Sequence, residues 1–201
     1  MIKRPEFRQR LLVVAAIFTA AICAGIAVVA VRARHIDGVS MEPTLRNGDR
    51  VLVDPNAAPA RFAVMIGRFT PGGGDFVKRV IGLPGDVIEI EKRGSDPGVV
   101  RVRPSGTGPW LTVANPAWSG NWGMATSNCC DGTGERSNAP EPQTVPSGMV
   151  FVLGDNLNVS EDSRRNGWAP VALLEGAVTW RVYPPSRIGR ISTDVTLVPP
   201  R

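Results

Sequence analysis

The chain has 201 residues, 43% of them apolar, which is enough for one domain with a real core plus an appendage. Its net charge of +5 lies wholly in residues 1–34, where Lys3, Arg4, Arg8, Arg10, Arg32 and Arg34 stand against Glu6; from His35 onward 17 basic and 17 acidic residues cancel. A nucleic-acid partner needs a basic face on the folded domain itself, so that class is excluded.

Residues 11–31 (LLVVAAIFTAAICAGIAVVAV) are 21 in number without a charge, long enough as a helix to span about 30 Å. The run predicts an uncleaved membrane anchor over 11–32. A removable secretory signal shares the basic start and apolar core, but its apolar stretch is shorter, about 7–15 residues, and no clean small-x-small site follows before Arg32 and Arg34. The basic residues 1–10 predict a cytoplasmic N-terminus in the cell membrane, with the bulk of the chain on the extracytoplasmic side. Cys23 falls inside the run and reads as a small buried hydrophobe. Cys129 and Cys130 are adjacent, closer than the usual disulfide span. An ordinary bridge between them is not expected, and free, partnered and strained-bridge thiols stay open.

Beyond the anchor, short β signals recur at 50–54, 76–81, 87–91, 99–103, 149–153 and 177–182. Between them stand turn residues such as Asn47-Gly48-Asp49, Pro71 with its three glycines, and Pro84-Gly85-Asp86. The pattern predicts a mainly β domain, a twisted antiparallel sheet over 36–185. Residues 104–148, rich in Gly, Pro, Ser and Asn and carrying Trp110, Trp118 and Trp122, read as an irregular segment packed by its tryptophans. Residues 186–201 read as an extended, peripheral tail.

The chain has one histidine and three lysines, so the available chemistry is narrow. His35 cannot build a His-rich metal site and reads as an interfacial polar residue. Lys3 lies before the anchor, and Lys92 sits beside Arg93 and Gly94 at a strand end, where a solvated charge is natural. That leaves Lys78. Period-two alternation puts Phe76, Lys78 and Val80 on one face of a strand. A lysine among apolar neighbours has a lowered pKa and, when neutral, can take a proton from a serine hydroxyl. Snorkelling from a sheet edge is the plainer alternative.

Four blocks then stand in order: the anchor; "SMEPTL" at 40–45 with "GDRVLV" at 48–53; "KRVIGLPGD" at 78–86; and "GDNLNVSEDSR" at 154–164. In this arrangement the chain resembles the bacterial type I signal peptidases, membrane-bound Ser/Lys endopeptidases that remove signal peptides from exported preproteins. The resemblance implies a sheet domain of that type, with Ser40 as nucleophile and Lys78 as general base. The Ser40 backbone N–H would donate to the oxyanion. Gly38 stands where some relatives add a serine hydroxyl, so the hole relies on backbone donors. Ser160 matches the serine that hydrogen-bonds the lysine, and Asp155, Asp162 and Arg164 match polar residues that hold the site together. The family's "GDNR" reads Gly154-Asp155-Asn156-Leu157 here, which removes an arginine and any ion pair it makes.

By the same resemblance the substrate is a preprotein bound as an extended strand, with Ile36, Phe76 and Val77 at its pockets. A nucleophile at the lip of the bilayer suits a cleavage site just outside it. Met41 and the stretch 62–66 either dip into the interface or pack in the core. The lipid bilayer is a partner, no cofactor or metal is implied, and the oligomeric state is open. The alternatives are a dedicated maturation peptidase, a relative of self-cleaving repressor proteases, and an inactive membrane-tethered binding domain.

Overall fold

Residues 11–31 carry no charge and no proline, so their backbone can satisfy itself as a helix; Pro5 sits in the first turn, where its missing N–H is not needed. The computed structural model describes residues 4–91, 98–118, 130–134, 141–192 and 194–200, with side chains at 8–23 and 25 in the first helix. That helix, α1, is Arg4–Arg32. Leu11, Leu12, Val13, Val14, Ile17, Phe18 and Ile22 on it are all exposed. Among the described residues, no helix is long and apolar enough to cross a membrane; the described side chains of α1 stop at Gly25. Cys23, expected to be buried, is free and exposed.

The unit from His35 to Arg201 is compact in itself. Its strands are β1 (Arg34–His35), β2 (Arg50–Asp54), β3 (Val64–Gly67), β4 (Phe76–Gly82), β5 (Val87–Glu91), β6 (Val99–Arg103) and β7 (Leu111–Ala114). They continue as β8 (Gln143–Thr144), β9 (Met149–Leu153), β10 (Ala169–Pro170), β11 (Leu174–Tyr183), β12 (Gly189–Arg190) and β13 (Thr196–Val198). A one-turn helix, α2 (Ser163–Asn166), precedes β10.

One sheet runs β1-β2-β11-β3-β4-β9-β10, with β12 added to β11; the other runs β13-β7-β6-β5-β8. The pairs from β2 through β11, β3 and β4 to β9 are antiparallel, as are those of the second sheet. In the second sheet the alternation is plain. Ile88, Ile90, Val100 and Val102 face a core shared with Ile81, Phe151 and Leu153 of the first sheet. Outward, Arg101 Nη1 donates to Glu89 and Glu91, at 3.2 Å each. β3, β4 and β9 are buried on both faces, which is why their sequences read as apolar runs.

Two parts differ from the expected picture. The described residues of 186–201 are mostly exposed, as a peripheral tail would be, but they also add strands: β12 joins the first sheet, β13 joins β7 of the second, and Val195 between them is buried in the shared core. Among its described residues the irregular segment contains β7, β8 and two short 3-10 turns, Pro104–Gly106 and Pro116–Trp118, the latter placing Trp118 against the core. Cys130 is buried and disulfide-bonded. Lys92, Trp122 and Cys129 lie outside the described residues.

Candidate active site

Serine, proline and glycine after β1 suit a turn, and the turn is pinned at several points. Gly38 has φ +104°, a region that side chains disfavour, and its N–H donates to Asn47 Oδ1 at 3.1 Å. The Leu45 N–H donates to the Met41 carbonyl at 2.9 Å. This helical turn points Met41 and Leu45 inward, where they pack with Ile36, Val51 and Val64. Of the two readings of Met41 and of 62–66, core packing is the one observed: Met41, Val64, Met65 and Ile66 are buried, and Phe62 and Ala63 are partly buried against the core. Ser40, just before Met41, is left half-buried and facing Lys78 of β4. Its backbone N–H donates to no protein group among the described residues.

On β4, Phe76 and Val80 join Met65 in an apolar cluster, and Lys78 opposes Met65 across the strand pair. Lys78 is only 5% exposed, and its Nζ lies 2.8 Å from Ser40 Oγ, with a second bond of 3.2 Å to the Val77 carbonyl. Burial pushes the Lys78 ammonium below the ordinary lysine value; the Asp162 and Glu161 carboxylates oppose this and the Arg164 guanidinium adds to it.

Arg79 points to the other face and is fully enclosed. Its Nε and Nη2 grip Asp155 Oδ1 and Oδ2 at 2.9 and 2.6 Å, and its Nη1 donates to the Phe62 carbonyl at 2.8 Å. A buried arginine needs such a fork-to-fork partner. Thr44 Oγ1 donates to Asp155 Oδ2, and Asn115 Nδ2 to Oδ1 at 2.9 Å. Asp155 thereby joins the nucleophile turn, the lysine strand and the second sheet.

The segment after β9 closes the site. Gly154 has no room for a side chain: a Cβ there would collide with the Ser40 carbonyl and with Ser160. The Asn156 N–H donates to the Ser40 carbonyl at 3.0 Å, and Asn156 Nδ2 to the Val39 carbonyl at 3.2 Å. Asp162 caps α2 by accepting the Arg164 N–H, takes the Gly154 N–H at 3.0 Å, and forms a buried bidentate pair with Arg164 at 2.8 and 2.9 Å. Arg164 Nη2 also donates to the Leu157 carbonyl at 2.9 Å. Leu157 itself, where an arginine was expected from the resemblance, packs in the shared core.

Ser40, Lys78, Asp155, Asp162, Arg164 and Ser160 are thus brought to one region. One expected contact is not made: Ser160 Oγ is buried beside Gly154 and has no hydrogen-bond partner among the described residues, so it does not bond Lys78. Ile36, Gly38, Phe76 and Val77 line a cavity of about 710 Å³ that holds Ser40 and Lys78. Among the described residues, no group of His, Cys, Asp or Glu is arranged to hold a metal ion.

Sequence reasoning overlooked Arg79, Thr44, Asn156 and Asn115. Arg79 was detectable, since alternation sends it to the buried face opposite Lys78. Asn115 carried no local signal, because its partner is far away in sequence.

The family described as "Signal peptidase, peptidase S26" matches residues 9–183. The chain is 30% identical over 173 residues to "Signal peptidase I" of Streptococcus pneumoniae serotype 4, a match covering 77% of this chain and 83% of that protein. It is 30% identical over 180 residues to "Probable signal peptidase I-1" of Synechocystis sp., covering 84% of this chain and 79% of the relative. It is 31% identical over 163 residues to "Signal peptidase IB" of Staphylococcus aureus, covering 74% and 76%. The crystal structure of a signal peptidase I from Enterococcus faecalis V583 aligns with TM-score 0.43 at 27% identity, over 60% of this chain and 97% of that one.

Proposed function

The chain belongs to the signal peptidase family, peptidase S26, serine endopeptidases that remove signal peptides from preproteins, and from that premise we propose that Ser40 is its nucleophile and Lys78 its general base. The observation that carries the assignment is the 2.8 Å contact between Lys78 Nζ and Ser40 Oγ on a lysine that burial drives toward neutrality. A neutral amine at that distance takes the hydroxyl proton as Oγ attacks the scissile carbonyl carbon. The free Ser40 N–H faces the developing oxyanion. The ammonium then returns its proton to the leaving amine, and the amine so regenerated deprotonates the water that hydrolyses the acyl ester.

Gly38 supports the oxyanion side by shape alone, since its N–H is committed to Asn47. Asp155, Asp162 and Arg164 act through the backbone they hold rather than on substrate. Ser160, without a bond to Lys78 in this state, contributes by packing against Gly154. The preprotein adds as a strand along β4. Antiparallel pairing with β9 begins only at Arg79, which leaves Phe76, Val77 and Lys78 with an open edge beside the cavity. Ile36, Phe76 and Val77 then line the pockets for small substrate side chains.

We further propose that α1 anchors the protein in the bilayer, with residues 1–10 cytoplasmic and the catalytic unit extracytoplasmic. The uncharged run and the exposed Leu11, Leu12, Ile17, Phe18 and Ile22 support this. Resistance to carbonate extraction checks it; release into the soluble fraction contradicts it. The catalytic assignment is tested by cleavage of a fluorogenic peptide with an Ala-x-Ala site beside Ser40→Ala and Lys78→Ala. Both variants lose activity with their fold intact. Activity surviving in Lys78→Ala removes the base assignment.

A further inference from the structure

We propose that Asn115 is a positioning residue of the catalytic loop: its side-chain amide, offered from the end of β7 in the second sheet, fixes the Asp155 carboxylate that ties the nucleophile turn to the lysine strand. The inference rests on reading Ser40 and Lys78 as the dyad.

Asn115 Nδ2 donates to Asp155 Oδ1 at 2.9 Å, and that oxygen also takes Arg79 Nε. The other oxygen takes Arg79 Nη2 and Thr44 Oγ1. A carboxylate offers about four lone-pair directions, and here four donors fill them. The group therefore has one orientation, and any rotation breaks a bond. Two of its donors adjoin the chemistry: Arg79 follows Lys78 directly, and Thr44 stands four residues after Ser40.

The amide is itself held. Asn115 Oδ1 accepts the Ala117 N–H at 2.9 Å, which turns Nδ2 toward Asp155. Three residues on, Trp118 Nε1 donates to the Gly154 carbonyl at 3.2 Å. The segment from Asn115 to Trp118 thus grips two consecutive residues, Asp155 and Gly154, of the loop whose next residue, Asn156, bonds the Ser40 carbonyl. Among the described residues the second sheet contributes no group to the cavity around Ser40. Beyond the shared apolar core, its hydrogen bonds to the 154–156 loop come from Asn115 and Trp118.

The charged group touching Asp155 is Arg79 on β4; Lys78 lies on the opposite face of that strand, and the Asp162–Arg164 pair closes the far end of the loop. Without Asn115, Oδ1 keeps only Arg79 Nε, and the Thr44 side is free to shift with the carboxylate.

The test uses the full chain in detergent. Parent, Asn115→Ala, Asn115→Asp and Ser40→Ala are compared in cleavage of the Ala-x-Ala peptide across a pH series, with thermal unfolding of each. Asn115→Ala loses roughly tenfold or more in kcat, the scale of one hydrogen bond to a charged group, with KM nearly unchanged and the protein folded at the assay temperature. In Asn115→Asp two carboxyl groups meet and retain a proton to higher pH than either alone. The protonated carboxyl donates as the amide did, so activity relative to the parent rises as pH falls, whereas the ratio for Asn115→Ala stays flat. A parent-like kcat in Asn115→Ala, or losses in both variants that follow only the unfolded fraction, overturns the proposal. Activity in Ser40→Ala removes the dyad reading and this inference with it. An inert Ser40→Ala beside a parent-like Asn115→Ala overturns the inference alone.

Discussion

Gly154 and Ser40 meet backbone against backbone: the Gly154 Cα faces the Ser40 carbonyl so closely that a side chain has nowhere to go. Gly154→Ala must push either Ser40 or Ser160 away. The obstacle on one side is main chain, which does not yield by a rotamer change. We expect a destabilisation of about 1–3 kcal/mol, as for other overpacked sites, and a loss of kcat larger than stability explains. Urea unfolding and peptide cleavage on the same sample separate the two, and an alanine variant of parental kcat contradicts the close approach.

The lowered pKa of Lys78 sets the pH response. Activity rises with pH as the ammonium gives up its proton, with a midpoint below the ordinary lysine value of 10.5. Glu161 opposes the shift, so Glu161→Gln moves the midpoint lower still. Stability has the same sign: between the lowered folded pKa and the unfolded one, the unfolded chain binds more protons, so stability increases with pH through that window. Lys78→Met abolishes that slope. A pH series of kcat and of urea midpoints for the three proteins checks both statements, and a midpoint unmoved in Glu161→Gln counts against the electrostatic link.

The Arg79–Asp155 pair is almost wholly excluded from solvent, with 2% and 0% of the side chains exposed. Removing one partner strands the other, at a cost of about 3–5 kcal/mol. Asp155→Ala and Arg79→Met should each lower stability on that scale, and the double variant by much less than their sum. Strict additivity in a double-mutant cycle denies the coupling.

Much of this was legible beforehand. The strands at 50–54, 87–91, 99–103 and 149–153 recur as β2, β5, β6 and β9, because alternating or continuous β-branched runs between Gly and Pro turns have few other outcomes. β3 was hidden, since Val64, Met65 and Ile66 are buried on both faces and show no period. β7, β10, β12 and β13 are too short, or too close to proline, to carry a pattern of their own; pairing with longer or neighbouring strands makes them strands, and only β13–β7 joins distant parts of the chain. The site divides in the same way. Ser40 and Lys78 emerged by elimination and motif, whereas Thr44 and Asn115 gain meaning only from a carboxylate at position 155.

Leu157 makes the departure from "GDNR" testable. It is 4% exposed within an apolar cluster, and its carbonyl, not its side chain, serves Arg164. Leu157→Arg therefore buries a charge with no carboxylate assigned to it, and thermal unfolding should fall by several kcal/mol. An arginine variant of parental stability shows that a partner is within reach after all.

The chain from 189 to 198 stitches two sheets together, β12 onto β11 and β13 onto β7, with Val195 as the button between them. During synthesis these residues appear long after Ser40, Lys78 and Asp155. The β13–β7 pairing is remote along the chain and so intrinsically slow to form, whereas β12 pairs with the neighbouring β11. The nascent enzyme thus carries its whole reactive set before β13 exists to close the edge of the second sheet beside β7, although the core shared by the two sheets is by then already made.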